Sequence, residues 1–215
     1  MRKNWCLVCI FSLLFCSAFS QLTMPKIFGS HMVLQRGANV RLWGKSAPNA
    51  ALWVDFVGTR TYIVADTAGT WLVYLPKFEA GGPYTLRVFL QNDSTQELRF
   101  DDVMLGDVWL ASGQSNMEWQ VQQALGAETE IPQAANKNLR FFVVPHQKSI
   151  EPEADLSGGA WAVADSISVR TVSAVAYYFA KEIEANVQVA VGILQSTWGG
   201  TPVEAWMSSE MLGSQ

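Results

Sequence analysis

Residues 107–121, Asp-Val-Trp-Leu-Ala-Ser-Gly-Gln-Ser-Asn-Met-Glu-Trp-Gln-Val, decide the fold and point to the chemistry. The apolar run over residues 103–111 predicts a buried strand, which breaks at Ser112-Gly113, and a helix is predicted over residues 116–125. A hydroxyl at a strand-to-helix turn is exposed, and the backbone N–H groups around it can stabilise an oxyanion. Ser115 is therefore a candidate nucleophile, although a serine at this place could also simply cap the helix.

Three blocks of sequence carry a resemblance to one family. The first, Gly113-Gln114-Ser115-Asn116-Met117, departs from the Gly-x-Ser-x-Gly elbow of α/β-hydrolases at its last residue. It resembles the nucleophile block of the SGNH (GDSL-like) hydrolases, in the form found in sialate O-acetylesterases and acetylxylan esterases. The second block, residues 192–206, resembles that group's Gly-Gly-Thr-Pro-x-Glu-Ala-Trp segment. The third, residues 32–36, is similar to the opening of the β domain in sialate O-acetylesterases.

The resemblance implies a fold and an activity. The expected α/β fold is an SGNH-type three-layer α/β/α hydrolase domain, incomplete here, preceded by an all-β sandwich domain. The expected activity is that of a carbohydrate O-acetylesterase, which removes acetyl groups from sialic acid or other acetylated glycans through a serine nucleophile. An acetylxylan esterase, a carbohydrate-binding protein without catalysis and an inactive fragment are the alternatives.

The resemblance also assigns roles around Ser115. Its own backbone N–H is expected to donate to the oxyanion, and a second donor is expected from Gly199 or Gly200, since glycine lets the backbone approach a substrate closely. Gln114 and Asn116 each carry an amide that could contact the substrate or hold the turn. The two glycines could equally form a plain tight turn.

Aromatic and acidic residues surround the two active-site blocks. Trp119, Trp198 and Trp206 are candidate sugar contacts, because an indole can stack on a sugar ring, although packing is an equal alternative. Glu118 is expected to stabilise the start of the helix electrostatically rather than to react. Glu204 is expected to anchor its loop.

Neither histidine is predicted to be the catalytic base. The family's base lies in an Asp-x-x-His block, but Phe28 precedes His31 by three residues and Val143 precedes His146 by three. His146 follows a strand and is interpreted as a solvated loop residue. The chain therefore stops before that block, and we expect it to have little esterase activity alone and to expose an apolar sheet edge.

The pattern along the chain predicts a signal peptide over residues 1–20, a β-sandwich domain over 21–100 and the hydrolase domain over 101–215. Short runs rich in Val, Trp, Tyr and Thr between turn residues predict the sandwich strands, with Trp43, Trp53 and Trp71 in its core or on a carbohydrate-binding face. The predicted strands are 40–43, 51–57, 61–65, 71–75, 84–90, 97–100, 139–144 and 189–194. A helix is predicted over 171–185, where Val172, Val175, Phe179 and Ile183 recur at three-to-four-residue spacing and form one apolar face.

Charge and cysteine content limit the partners and the compartment. The basic, apolar and small-residue regions of the N-terminus favour secretion, with cleavage after Ser20 to an extracellular or periplasmic chain. All three cysteines lie in that segment, so the mature chain contains none. Removing Arg2 and Lys3 changes the net charge from −4 to −6, which disfavours nucleic acid. No pattern predicts a metal site, a cofactor or a membrane span in the mature chain.

Overall fold

The structure, a computed structural model, describes residues 21–213. The predicted signal peptide and its cysteines lie outside the described residues. The ten strands are β1 Val33–Gln35, β2 Asn39–Lys45, β3 Ala51–Phe56, β4 Thr59–Val64, β5 Thr70–Lys77, β6 Gly81–Leu90, β7 Asp93–Gly113, β8 Asn136–Val143, β9 Trp161–Ala164 and β10 Ala190–Thr197. The α-helices are α1 Ser115–Glu118, α2 Ala127–Glu130, α3 Ala174–Val187 and α4 Ser209–Leu212, and the 3₁₀ turns are Val121–Gln123, Ile131–Gln133, Ser168–Thr171 and Val203–Trp206.

The first part of the chain is a small sandwich of two sheets. One sheet is the antiparallel pair of β2 and β5. This pair packs against the other sheet, in which β4, β3, β6 and the first half of β7 are antiparallel neighbours. Side chains alternate along β2, so Val40 and Leu42 point inward into the core between the sheets. Trp71 lies in this core, as predicted, whereas Trp43 and Trp53 are only half-buried.

β7 joins the sandwich to the second part of the fold. Its first half pairs antiparallel with β6, and its last eight residues, Gly106–Gly113, pair parallel with β10. The strand predicted over residues 103–111 is thus the end of a strand of 21 residues. It crosses the predicted domain boundary between residues 100 and 101, so the two parts share one sheet, and the division at that position stays a prediction.

The second part is a parallel sheet with a helix on one face. β10 lies between β7 and β8 and is parallel to both, while β9 is antiparallel at the far side of β8. A second hydrophobic core lies between this sheet and α3. The sheet contributes to it Leu139, Phe141, Val191 and Ile193, which lie on β8 and β10. The mixed α/β architecture expected from the sequence is confirmed.

The predicted helix over residues 116–125 is wrong beyond its first turn. α1 ends at Glu118, and the chain then forms only a 3₁₀ turn. The reason is competition for backbone hydrogen bonds. Gln120 bridges to Ser173, and the N–H of Val121 donates to the carbonyl of Val172 at 3.0 Å, instead of continuing the helix. This pairing ties the segment after Ser115 to the start of α3.

The predicted apolar face of α3 is wrong at Val175 and Phe179, whereas Val172 just before the helix is buried and Ile183 packs against the core, as predicted. Val175 and Phe179 are 52% and 40% exposed, and the buried residues include Ala176, Tyr177 and Ala180. The small alanine side chains let the helix approach the sheet closely. Phe179 is half-exposed and makes an edge-to-face contact with Trp109 of β7, with ring centroids 5.1 Å apart.

The unpaired apolar edge expected from the sequence is present on β7. Leu105 pairs with both Leu34 of β1 and Gly81 of β6, so β1 and β6 lie on opposite edges of the strand. Gly106 likewise pairs with β1 and β10, which places β10 on the same edge as β6. Beyond Gly106, no strand within residues 21–213 pairs with the other edge, where Trp109 and Leu110 are 45% and 68% exposed.

Candidate active site

Ser115 lies at the turn where β7 ends and α1 begins. Gly113 has a φ of +144°, which a residue with a side chain rarely adopts, and this conformation lets the strand turn sharply into the helix. Gln114 occupies the N-cap position and Ser115 is the first helical residue. The alternative in which Ser115 caps the helix is therefore wrong. Its hydroxyl is exposed, at the position expected for a nucleophile.

The second sequence block lies directly beside Ser115. β10 runs parallel to β7 up to the pair Thr197 and Gly113, and the N–H of Trp198 donates to the carbonyl of Gly113 at 3.0 Å. A Cβ placed on Gly199 would lie 3.6 Å from both Cα and Cβ of Ser115. Gly200 follows with a φ of +77° and open space around it. The carboxyl ends of two neighbouring strands thus bring the two blocks together.

Glu118 connects these two blocks, a contact that sequence reasoning missed. Its Oε2 accepts a hydrogen bond from the backbone N–H of Gly199 at 2.6 Å. Its Oε1 lies 3.0 Å from Nε2 of His146. The sequence predicts for Glu118 only an electrostatic role at the start of the helix. The contact with Gly199 was not predictable, because nothing in the local sequence connects Glu118 with a residue 81 positions away.

His146 lies in a loop with 44% of its side chain exposed, as interpreted from the sequence, but its contacts also hold it in place. Its Nε2 lies 2.7 Å from the carbonyl oxygen of Thr197, and its ring stacks on Trp198 with centroids 4.3 Å apart and planes 3° from parallel. A carbonyl oxygen can only accept, so Nε2 carries the hydrogen. That nitrogen is engaged by Thr197 and Glu118, and no hydrogen bond joins His146 to Ser115 in the described part of the chain. His31 is bound to Asp102 instead.

The polar side chains that flank the nucleophile are unengaged. Gln114 and Asn116 are exposed, and within residues 21–213 no hydrogen bond engages their amides or the hydroxyl of Ser115. Both amides are therefore free to contact a bound molecule. Within the same described range, no group of His, Cys, Asp and Glu side chains has the arrangement of a metal site.

The three candidate sugar contacts differ in how open they are. Trp119 is 54% exposed and borders a groove of about 250 Å³ together with Ser115 and Glu118. Trp198 has one ring face covered by His146. Trp206 is 37% exposed, and its Nε1 donates to Oγ1 of Thr201 at 2.9 Å. Trp119 thus offers the most open ring beside the nucleophile.

A second cleft, of about 580 Å³, is larger than the groove beside Ser115 and lies on the face of the sheet opposite to α3. Trp109 contacts α3, and side chains alternate along a strand, so Leu110 points away from α3 and into this cleft. His146, Trp198 and Trp206 also line the cleft, but Ser115 does not. We place the candidate reaction in the smaller groove, because only that groove contains the exposed hydroxyl.

The strand, the turn and the exposed serine define the fold class of the SGNH-type hydrolases, as expected from the sequence blocks. The chain belongs to the carbohydrate esterase family described as sialic acid-specific acetylesterase, whose sequence model matches residues 105–214. This match covers both blocks that meet at Ser115, and the family expected from the sequence is confirmed.

Individual relatives agree with this assignment. A sialate O-acetylesterase of Rattus norvegicus is 33% identical over 199 residues, which cover 85% of this chain and 37% of the relative. The Homo sapiens sialate O-acetylesterase is 33% identical over 200 residues, 84% of this chain and 38% of the relative. The crystal structure of a carbohydrate acetylesterase from Xanthomonas citri superposes with a TM-score of 0.86 at 45% identity, covering 89% of this chain and 43% of that one. The chain thus spans less than half the length of these relatives.

Proposed function

We propose that this chain supplies the nucleophile of a carbohydrate O-acetylesterase, which removes O-acetyl groups from sialic acid or another acetylated glycan. The observation that carries the proposal is the exposed hydroxyl of Ser115 at the strand-to-helix turn, with Gly199 of the second block directly beside this residue. Membership of the carbohydrate esterase family supports the same reaction class. The similarity to a sialate O-acetylesterase and to a carbohydrate acetylesterase supports an acetylated sugar as the substrate class.

In the proposed reaction Ser115 attacks the acetyl carbonyl and forms a tetrahedral intermediate. The bond to the sugar oxygen then breaks, the sugar leaves as an alcohol, and water hydrolyses the acetyl-enzyme to acetate. The hydroxyl of Ser115 must lose a proton in the first step. The resemblance assigns that proton to the histidine of an Asp-x-x-His block, a motif that neither His31 nor His146 carries.

Backbone N–H groups would hold the negative charge of the intermediate. The N–H of Ser115 is one donor by resemblance. The N–H of Gly199 is already bound to the carboxylate of Glu118, which favours Gly200 as the second donor. The open space around Gly200 leaves room for the acetyl oxygen.

A fluorophosphonate probe tests the proposed nucleophile, because it forms a covalent adduct with a nucleophilic serine; without the Asp-x-x-His base, the labelling is expected to be slow. We expect mass spectrometry to find the adduct on Ser115 and the variant Ser115→Ala to take up no probe. A glycan that binds in the groove without any reaction at Ser115 would instead favour a carbohydrate-binding protein that has lost catalysis, for which the exposed ring of Trp119 is the supporting observation.

We also propose that the protein is exported. The support is the basic Arg2-Lys3, the apolar run over residues 5–15 and the small residues Ala18 and Ser20. Independently of this proposal, every helix within residues 21–213 is too short or too polar to cross a membrane. N-terminal sequencing of the exported protein is expected to begin at Gln21, and a mature chain that still contains Cys6 would refute the cleavage.

A further inference from the structure

We propose that Glu118 is a positioning residue, which fixes the Gly199-Gly200 turn against Ser115 and keeps the N–H of Gly199 out of the oxyanion site. The inference rests on the proposed function, because it concerns how the same site is held. The set of contacts that carries it is the Glu118 brace, which consists of Glu118, His146, Trp198, the carbonyl of Thr197 and the N–H of Gly199.

One carboxylate serves two segments in this brace. Glu118 lies three residues after the nucleophile in α1, so its position is fixed relative to Ser115 by a single helical turn. Its Oε2 accepts the N–H of Gly199 at 2.6 Å, a short bond of the charge-assisted kind. The same carboxylate lies 3.0 Å from Nε2 of His146 through its other oxygen.

His146 holds the same turn from a second direction. Its Nε2 donates to the carbonyl of Thr197 at 2.7 Å, and its ring stacks on Trp198. The N–H of Trp198 in turn donates to the carbonyl of Gly113, two residues before Ser115. Residues 197–199 are therefore fixed at three successive positions, each by a partner from the nucleophile segment or from the loop after β8.

This arrangement has a consequence for catalysis. An active site loses about 10²-fold in rate when a reacting group is misplaced by roughly 1 Å. Loss of the Glu118 carboxylate would release Gly199, and the neighbouring Gly200 would shift with it relative to Ser115. We therefore expect Glu118→Ala to lower the reactivity of Ser115 by about 10- to 100-fold. Glu118→Gln retains an oxygen that can accept from Gly199, so it should recover most of the reactivity.

The test compares Glu118→Ala and Glu118→Gln with Glu128→Gln as the matched control. Glu128 is an exposed carboxylate in the short helix α2 and is outside the brace. Two quantities are measured on each protein: the second-order rate constant for labelling of Ser115 by a fluorophosphonate, and the ¹H–¹⁵N shifts and hydrogen-exchange rate of the Gly199 and Gly200 amides. The melting temperature verifies that each variant is folded.

We expect the labelling rate to be highest in wild type, lower in Glu118→Gln and lowest in Glu118→Ala, and to be the same in Glu128→Gln as in wild type. We also expect faster hydrogen exchange at the Gly199 amide in Glu118→Ala than in wild type. Equal labelling of a folded Glu118→Ala and wild type would overturn the brace and leave the proposed nucleophile intact. Because the general base is missing, labelling of the wild type is expected to be slow, so each protein is labelled to completion. If wild type takes up no probe even on prolonged incubation, the proposed function fails, and the amide data alone decide the brace. Unchanged amide shifts at Gly199 and Gly200 in Glu118→Ala would then overturn it.

Discussion

Arg140 offers the sharpest test of how the two parts of the fold are held together. Only 3% of its side chain is exposed to solvent. The guanidinium forms a bidentate ion pair with Asp102, in which Nη1 lies 2.9 Å from Oδ2 and Nη2 lies 3.1 Å from Oδ1. It also donates to the carbonyl oxygens of His31, Lys137 and Asp102. Arg140 lies on β8 of the parallel sheet, whereas His31 precedes β1, so one side chain links the sandwich to the hydrolase part.

Replacement of Arg140 by Met would remove the positive charge and leave the carboxylate and three carbonyls without this donor. Breaking a buried ion pair by removal of one partner costs about 3–5 kcal/mol. Asp102 keeps 32% of its side chain exposed and retains His31 at 2.6 Å, so water and the imidazole offset part of the loss. We therefore expect Arg140→Met to lower the free energy of unfolding by about 3 kcal/mol, the lower end of that range.

The effect should depend on pH in a defined direction. Burial raises the pKa of Asp102, but the hydrogen bonds from Arg140 and His31 lower it by more, so the pKa lies below its ordinary value of 3.8. A carboxyl with a lowered pKa stabilises the fold above its unfolded pKa and loses that contribution as the pH falls through its folded pKa. The difference between wild type and Arg140→Met should therefore be full at pH 7 and should shrink below about pH 4.

Urea unfolding of both proteins at pH 7 and at pH 3 measures this difference. The matched control is Arg99→Met, because Arg99 pairs with Asp101 at an exposed position one residue from Asp102 and should change the stability little. A loss at pH 7 no larger for Arg140→Met than for Arg99→Met would refute the reasoning. A large loss that is the same at both pH values would show that the Asp102 charge is not its source.

Two further predictions concern the site. A Cβ on Gly199 would lie 2.7 Å from Oε2 of Glu118, so Gly199→Ala should displace the carboxylate and slow fluorophosphonate labelling. The control Gly37→Ala, at an open turn far from Ser115 in the sequence, should leave the labelling rate unchanged. Equal labelling rates for the two variants would count against the close approach of Gly199 to Glu118. The chain by itself should turn over 4-nitrophenyl acetate and acetylated sialic acid poorly, because a general base contributes about 10²–10⁴-fold and neither histidine bonds to Ser115. Turnover of both substrates at rates usual for enzymes would contradict that expectation, and His146→Ala would then identify or exclude His146 as the base.

The strands were largely predictable from the sequence, because a buried sheet leaves a local pattern. Alternating apolar residues marked β2 and β5, and continuous apolar runs marked β8 and β10. The strand-to-helix turn at Ser115 was predictable for the same reason, since the strand, the glycine and the serine are adjacent in sequence. The resemblance implied that the second block lies near Ser115, and the structure shows the physical reason: β7 and β10 are parallel neighbours that end at the same edge of the sheet.

The misses arose where distant residues compete with a local preference. The helix after Ser115 stops early because Val121 bonds to Val172, and no window of sequence around Val121 contains that partner. The face of α3 was misjudged because alanines, rather than Val175 and Phe179, allow close contact with the sheet. Glu118 and His146 belong to different segments, so their contact becomes apparent only once β7, β8 and β10 are aligned.

The rate of acetate release measures most directly whether Ser115 is the nucleophile of an acetyl esterase. The assay compares wild type, Ser115→Ala and Ser112→Ala in a form extended by the downstream reading frame, with an O-acetylated sialic acid and an acetylated xylan as substrates. Ser112 is an exposed serine near the end of β7, three residues before Ser115, and serves as the control. Loss of the covalent route should lower turnover by several orders of magnitude in Ser115→Ala, and Ser112→Ala should release acetate like wild type. Comparable acetate release by Ser115→Ala and wild type would contradict the account.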